Sequence, residues 1–208
     1  MSFKPQPKAK SMDPSIVSSQ FAAKIADLYS RMEKAYDLVA RQLDFTCDGC
    51  PDNCCDSYFL HHTYVEWAYL WVGLMEFAPE RRKSIENRAA EYVAASERAL
   101  ARNERPQRMC PLNEEGRCGL YLHRLMICRM HGVPSSLTFP NGQNKKFPGC
   151  FRCQEIVGDR QAVPMVERAP LFRELVALEQ ELLGAQQGQL PKVNKTIAEM
   201  ILAGPPRL

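Results

Sequence analysis

The sequence has no uninterrupted apolar run of about 18 residues, the length a helix needs to span a bilayer. Its best stretch, Tyr64 to Phe77, is shorter and carries Glu66 and Glu76. Residues Met1 to Ser11 are polar and lysine-bearing. They show no apolar h-region and no small-residue cleavage pattern, so no secretory signal is expected and a reducing, cytoplasmic setting is. There is no internal repeat and no low-complexity tract. Charge of one sign is scarce as well: 27 Lys and Arg against 24 Asp and Glu leave a net charge of +3. That is too little to argue for nucleic acid, and Lys145, Lys146 and the run Arg81, Arg82, Lys83 have no interleaved aromatic platform on which bases could stack. There is no Gly-rich phosphate loop, no nucleophile elbow and no pair of carboxylates at a plausible site, so nucleotide-driven and hydrolytic chemistry have no motif to stand on. Gly142 and Gly149 read as turn glycines.

Cysteine, in contrast, is abundant. All nine lie between Cys47 and Cys153, and the densest knot reads Cys47-Asp-Gly-Cys50-Pro-Asp-Asn-Cys54-Cys55. In a reducing compartment clustered thiols serve as metal ligands or redox groups, and an odd count leaves one over from any fully paired disulfide framework. Cys47-x-x-Cys50 and Cys150-x-x-Cys153 are two knuckles whose two intervening residues let both sulfurs face one ion in a tight turn, Gly49 easing the first. Cys110, Cys118 and Cys128 lie between them. Side chains of adjacent residues diverge, so Cys54 and Cys55 suit two metal centres, or two metals of one cluster, better than a single tetrahedron. Eight thiolates would fill two four-sulfur sites with one spare. Histidine could alter that count, the candidates being His61, His62, His123 and His131, although most histidines are surface or supporting groups. A divalent ion with four thiolates carries a formal charge of −2, and Arg117, Arg124, Arg129 and Arg152, each near a cysteine in sequence, are candidates to compensate it. Four-thiolate sites suit zinc or iron, iron–sulfur clusters included, and the spacing matches neither ferredoxin pattern.

The remaining sequence reads as helix. Asp13-Pro14 is an N-cap followed by proline, opening a helix whose stripe is Phe21, Ile25, Leu28, Met32, Ala35, Val39 and Leu43. Thr63-Tyr-Val-Glu66 is a capping box starting a second, with Tyr64, Trp67, Trp71, Leu74 and Ala78 on one face. Both tryptophans are expected to wall the core beside the metal site. Pro79 opens a third helix to about Arg105, burying Ile85, Ala89, Tyr92, Ser96 and Leu100 and showing Arg81, Arg82 and Lys83 to solvent. Around Leu120 to Met130 the helical period returns briefly. Leu137 to Gly142 reads as a hairpin or turn. Pro170 starts a long helix bearing Leu171, Leu175, Leu178 and Leu182 and ending at Gly184, with a short helix following around Pro191 to Leu202. The expected fold is mainly α, with helices packed around a loop-rich, cysteine-lined metal-binding core. Residues 1–12 form a tail, 13–44 the first helix, 45–157 the cysteine core with two helices, and 158–208 a helical extension on the same domain.

Over roughly Cys47 to Cys153, about half the chain, the sequence resembles the YkgJ-type cysteine-cluster family, zinc- or iron-chelating proteins recognised by a C-x-x-C-x-x-C-C motif. The residues that carry the likeness are Cys47, Cys50, Cys54 and Cys55, the Thr63-x-x-Glu66 helix start, Cys110-Pro111-Leu112, Gly116-Arg117-Cys118, Tyr121 and Arg124 to Arg129. There are two departures. Three residues separate Cys50 from Cys54 instead of two, and the family's Arg-Pro is Arg124-Leu125. The resemblance implies metal chelation in the bacterial cytoplasm, with members often labelled iron–sulfur oxidoreductases.

The expected function is therefore metal chelation through Cys47, Cys50, Cys54, Cys55, Cys110, Cys118, Cys128, Cys150 and Cys153, holding zinc or iron in structural or electron-transferring centres. Two alternatives stand beside it. One is an iron–sulfur oxidoreductase with an open metal position. The other is a zinc-stapled interaction module that grips a protein partner, or a second copy, through its first or last long helix. The first helix's stripe is read as core before partner seam, because most such stripes are core.

Overall fold

A computed structural model describes residues 17–47, 50 and 54–208. The knot's residues 48–49 and 51–53 lie outside it, as do the Cys54 side chain and the expected helix start at Asp13-Pro14. Helix α1 (Ser19–Gln42) starts instead at Ser18, whose hydroxyl accepts the Phe21 N–H at 3.2 Å. The correction has a plain cause: a side-chain cap satisfies a first-turn donor, and Val17 and Ser18 are not helical. The helix ends where Asp44 takes φ +53°, and the Phe45 N–H returns to the Ala40 carbonyl at 2.9 Å. This is a Schellman closure with aspartate in place of the usual glycine.

Helix α2 (Tyr64–Met75) is buried nearly all round, because two apolar clusters meet on it. Val65, Ala68 and Tyr69 join α1 in the first cluster, while Tyr64, Trp67, Leu70, Trp71 and Leu74 join the second. Its N-terminus departs from the expected capping box. The Thr63 hydroxyl does cap the Glu66 N–H, but Glu66 turns away to another helix. Glu179 takes its place, accepting the Tyr64 and Val65 N–H groups at 2.8 and 2.7 Å. Ala78 lies beyond the helix and is exposed.

Helix α3 (Pro79–Ala101) buries Ile85, Ala89, Tyr92 and Ser96 as expected, but Leu100 is exposed and the helix stops short of Arg105. Asn103 adopts φ +56° and Glu104 N–H bonds back to Ala99, a second Schellman closure. The central segment holds a two-residue hairpin, β1 (Asn113–Glu114) with β2 (Arg117–Cys118), a 3-10 turn at Tyr121–His123, and the short helix α4 (Met126–Met130). The expected turn at Leu137 to Gly142 is a hairpin between β3 (Ser135–Thr138) and β4 (Asn144–Phe147), with Gly142 at φ +81°. Helix α5 (Phe151–Val157) follows, and β5 (Val166–Glu167) adds to β3 in parallel.

Helix α6 (Ala169–Leu183) ends at Gly184, as its sequence signals, and sends Leu171, Leu175 and Leu178 into the first cluster beside α1. Helix α7 (Ile197–Leu202) carries the true capping box, Thr196 with Glu199. It is anchored by both tryptophans: Trp67 Nε1 donates to the Met200 and Gly204 carbonyls, and Trp71 Nε1 to Met200. The fold is mainly α. No helix among the described residues is long and apolar enough to cross a membrane.

Candidate metal centre

No disulfide joins the cysteines whose side chains are described, and they fall into two neighbourhoods. The inner one begins where the Cys110 N–H donates to the Cys55 carbonyl at 2.8 Å, tying the end of the knot to the central segment. Three residues on, Asn113 N–H returns to the Cys110 carbonyl at 2.9 Å, and Asn113 stands opposite Cys118 in the β1–β2 hairpin. Helix α4 supplies Cys128. Two backbone amides point into sulfurs: Leu112 N–H donates to Cys110, and Leu120 N–H donates to Cys118. A turn that aims an amide two residues ahead back at the cysteine sulfur stabilises thiolate charge.

The electrostatics mark the same four residues as neighbours. Burial pushes the Cys110 thiol up to about 12, with Cys55 and Cys118 adding to the rise while the Leu112 amide and Arg88 oppose it. Burial also raises Cys118, with Cys55 adding to it against the Leu120 amide and the charges of Arg124 and Arg129. Cys128 is raised well above the ordinary thiol range, by burial first and then by Cys110, Cys118, Cys55 and Glu66. Without a cation these sulfurs hold their protons, and a bound cation reverses that preference.

The outer neighbourhood pairs the two knuckles across the chain. The Cys50 N–H donates to the Cys47 carbonyl at 3.2 Å, and the Cys47 sulfur lies 3.8 Å from the Tyr36 hydroxyl. Cys150 is the N-cap position of α5, so the second knuckle spans a helix start where a tight turn was expected. Its N–H donates to the Gly132 carbonyl at 2.9 Å. Gly149, at φ +88°, has no room for a side chain, because a Cβ there would come within 2.5 Å of that same carbonyl oxygen. Burial raises Cys153 to about 11, helped by Cys150 and Cys47. Arg152 donates to Cys50 and also feels Cys47 and Cys150.

The arginines and histidines divide differently from the sequence expectation. Arg129 is 5% exposed and donates to the carbonyls of Arg124, Tyr121 and Leu122 at 2.7, 3.2 and 2.5 Å, with its guanidinium over the Tyr29 ring at 4.4 Å. It forms no ion pair with a carboxylate among the described residues. Arg124 stacks on Tyr121 at 3.7 Å. Arg117 is exposed. Sequence reasoning missed Arg88, a helix-face residue that binds the Pro111 carbonyl at 2.9 Å and acts on Cys110. It also left Arg81 to solvent, whereas Arg81 pairs with Glu114 at 2.5 Å and covers Phe77. Charged residues at i and i+7 on α3 were the available signal.

Glu66 takes a different role from the capping box expected of it. Buried in α2, it accepts the Met126 N–H at 2.6 Å and the Thr63 hydroxyl at 2.8 Å, so it caps the helix that carries Cys128 and Arg129. Burial raises its carboxyl above the usual range. The four histidines have structural surroundings. His61 forms a two-way backbone bridge with Lys195 and burial lowers it to about 3. The His62 ring meets the Val193 carbonyl at 3.3 Å, His123 fits beside Tyr69 beneath Gly73, and His131 packs edge-on to Phe59. Trp67 and Trp71 share their apolar cluster with Cys110 and Cys118.

No family model, curated protein or solved structure matches the chain. Among the described residues, no three or more His, Cys, Asp or Glu side chains converge as closely as the ligands of one ion. The two groups are neighbourhoods of sulfur, not closed coordination shells. Their surroundings nevertheless suit an anionic thiolate centre in one specific respect. Buried donors are left without acceptors beside them: Asn113 Nδ2 and Arg124 Nε at the inner group and Arg152 Nη1 at the outer. Such donors are costly to bury, and a metal–thiolate centre with net negative charge is the kind of acceptor they lack.

Proposed function

We propose that the chain is a metal-chelating cysteine-cluster protein with two four-thiolate centres. The inner centre is Cys55, Cys110, Cys118 and Cys128; the outer is Cys47, Cys50, Cys150 and Cys153; Cys54 is the spare. The observation that carries the reading is Arg129. A guanidinium buried without an ion-paired carboxylate, acting on Cys118 within a set of four mutually neighbouring thiols, makes electrostatic sense when those thiols are thiolates around a cation, since the resulting −2 needs an internal counter-charge. The amide donors to Cys110 and Cys118 act in the same direction. Zinc or iron, the latter as single ions or an iron–sulfur cluster, is the chemistry this all-sulfur donor set accepts. Zinc would staple the loops; an iron–sulfur cluster would supply electron transfer. The likeness to the YkgJ-type family, and the cytoplasmic, reducing setting in which free thiols persist, belong to the same proposal.

The test is metal and acid-labile sulfide content together with an optical spectrum, on protein purified without oxygen. About two zinc ions per chain and no sulfide support the stapled form. Brown protein with iron and sulfide supports the electron-transfer form, and a redox titration then separates an electron carrier from an oxidoreductase. Protein that folds cooperatively yet takes up neither metal contradicts the proposal.

A further inference from the structure

Away from the thiols, the C-terminal end of α3 opens a cleft of about 320 Å³ that no cysteine lines. Its shape follows from how the helix stops. Asn103 takes φ +56° and the Glu104 N–H returns to the Ala99 carbonyl at 3.0 Å, which turns the chain back. Buried Pro106 then holds the returning segment down. Arg98 and Arg102 stand four residues apart, on one face of the helix end. Arg105 and Arg108 join them from the returning segment, and all four line the cleft. Ala95 and Ala99, one turn apart, line it too and leave its base unobstructed.

Four arginines against one glutamate give this lining a charge of +3, as much as the net charge of the entire chain. Glu104, the one carboxylate, accepts from Arg102 at 2.9 and 2.6 Å, and both side chains are more than half exposed. Arg98, Arg105 and Arg108 form no ion pair among the described residues. Cations complement the dipole at a helix C-terminus, which accounts for Arg98 and Arg102. It does not account for Arg105 and Arg108, which lie past the helix end. Like charges gathered in a concave site focus a positive potential on anions, and a planar guanidinium fork matches phosphoryl oxygens two at a time. A lone phosphate has too few oxygens for four forks, whereas two linked phosphoryl groups have enough. No aromatic ring lines the cleft, so a base has no stacking platform there. We propose that the cleft binds a diphosphate group, free or carried on a small molecule, through Arg98, Arg102, Arg105 and Arg108.

The experiment titrates inorganic pyrophosphate into the full chain by calorimetry, with inorganic phosphate, citrate and ADP as comparison ligands. Pyrophosphate should bind at least about tenfold more tightly than phosphate or citrate, the scale of one further charge-assisted hydrogen bond. ADP should bind within about threefold of pyrophosphate, because the base goes unread. Arg105→Gln and Arg108→Gln should each weaken pyrophosphate by roughly tenfold, and the pair together by roughly a hundredfold. All four arginines are exposed, so these variants keep the fold. Arg82→Gln removes the same charge about 24 Å away along α3, well beyond the screening length, and should leave the affinity within about twofold. Glu104→Gln frees Arg102 and should tighten binding by about threefold. Absence of binding at millimolar pyrophosphate overturns the proposal, as does an affinity that survives the Arg105 and Arg108 double substitution. Equal weakening by Arg82→Gln would reduce the site to the chain's overall charge and overturn it as well. Citrate binding as tightly as pyrophosphate overturns the phosphate assignment, and ADP binding far more tightly overturns recognition by the diphosphate alone.

Discussion

The inner and outer thiols both join residues from the knot to residues far along the chain, but their surroundings differ: Cys55, Cys110, Cys118 and Cys128 are all partly exposed, whereas the outer group holds both the exposed Cys47 and the buried Cys153. Around Cys110, Cys118 and Cys128, burial raises every thiol and the nearby cations are themselves packed: Arg129 on Tyr29 and three carbonyls, Arg88 on Pro111. Around Cys47, Cys50 and Cys150 the neighbours are a tyrosine hydroxyl, an arginine and a close contact between two glycines. The same side-chain chemistry thus meets two environments, and on the metal-chelating proposal binding free energy becomes folding free energy where packed residues surround the sulfurs.

The largest expected effect breaks this contrast if it is wrong. Cys118→Ser should abolish the cooperative thermal transition of metal-loaded protein, since structural zinc contributes on the order of 10 kcal/mol. Cys47→Ser should change stability by less than about 1 kcal/mol, as exposed substitutions do. Equal destabilisation by the two, read from denaturant melts, would erase the distinction between inner and outer.

Acid provides the next test. His61, at the bridge to Lys195, is held to about 3 by burial, against 6.5 unperturbed. The unfolded chain therefore binds the extra proton, and stability is lost as pH falls from about 6.5 toward 3, by roughly 4 kcal/mol from this one group. His61→Gln should flatten that slope in metal-free and metal-loaded protein alike. A slope unchanged by the substitution would assign the acid sensitivity to the thiolates alone.

Arg129→Met probes the counter-charge. It strips donors from three carbonyls and positive charge from the inner group, and should cost about 3 kcal/mol in loaded protein and less in metal-free protein. An equal cost in both states would make Arg129 a carbonyl clamp without an electrostatic role. Gly149→Ala acts on the outer side, forcing a Cβ against the Gly132 carbonyl at positive φ. The expected cost is about 2 kcal/mol with loss of the outer ion only. Loss of the inner ion instead would show that the two groups are mechanically one.

Much of the helical plan was legible because apolar period and punctuation agree. Phe21 to Leu43 and Leu171 to Leu178 repeat at helical spacing and end at a turn, and the Gly142 hairpin and the Gly184 stop follow from glycine's access to positive φ. The failures are equally physical. Asp44 and Asn103 close helices in a conformation usually left to glycine, so no glycine marks the ends of α1 and α3. Thr63 and Glu66 satisfy the capping-box pattern, yet Glu66 serves α4, because a carboxylate buried between helices binds whichever amide the packing offers.

For the site, residue types and count were in the sequence, and so was the idea of two four-sulfur sets. The partition was not. Spacing alone gives Cys54 and Cys55 equal standing, and it is the Cys110 N–H to Cys55 carbonyl bond that ties Cys55 to the central segment. The sequence by itself determined the helices, the free-thiol chemistry and the candidate ligands, because these depend on local period and side-chain identity. Tertiary structure alone decided which thiols are neighbours, which arginines act on them and how far each thiol is exposed. Those relations join residues distant along the chain, and they depend on which surfaces the helices bury.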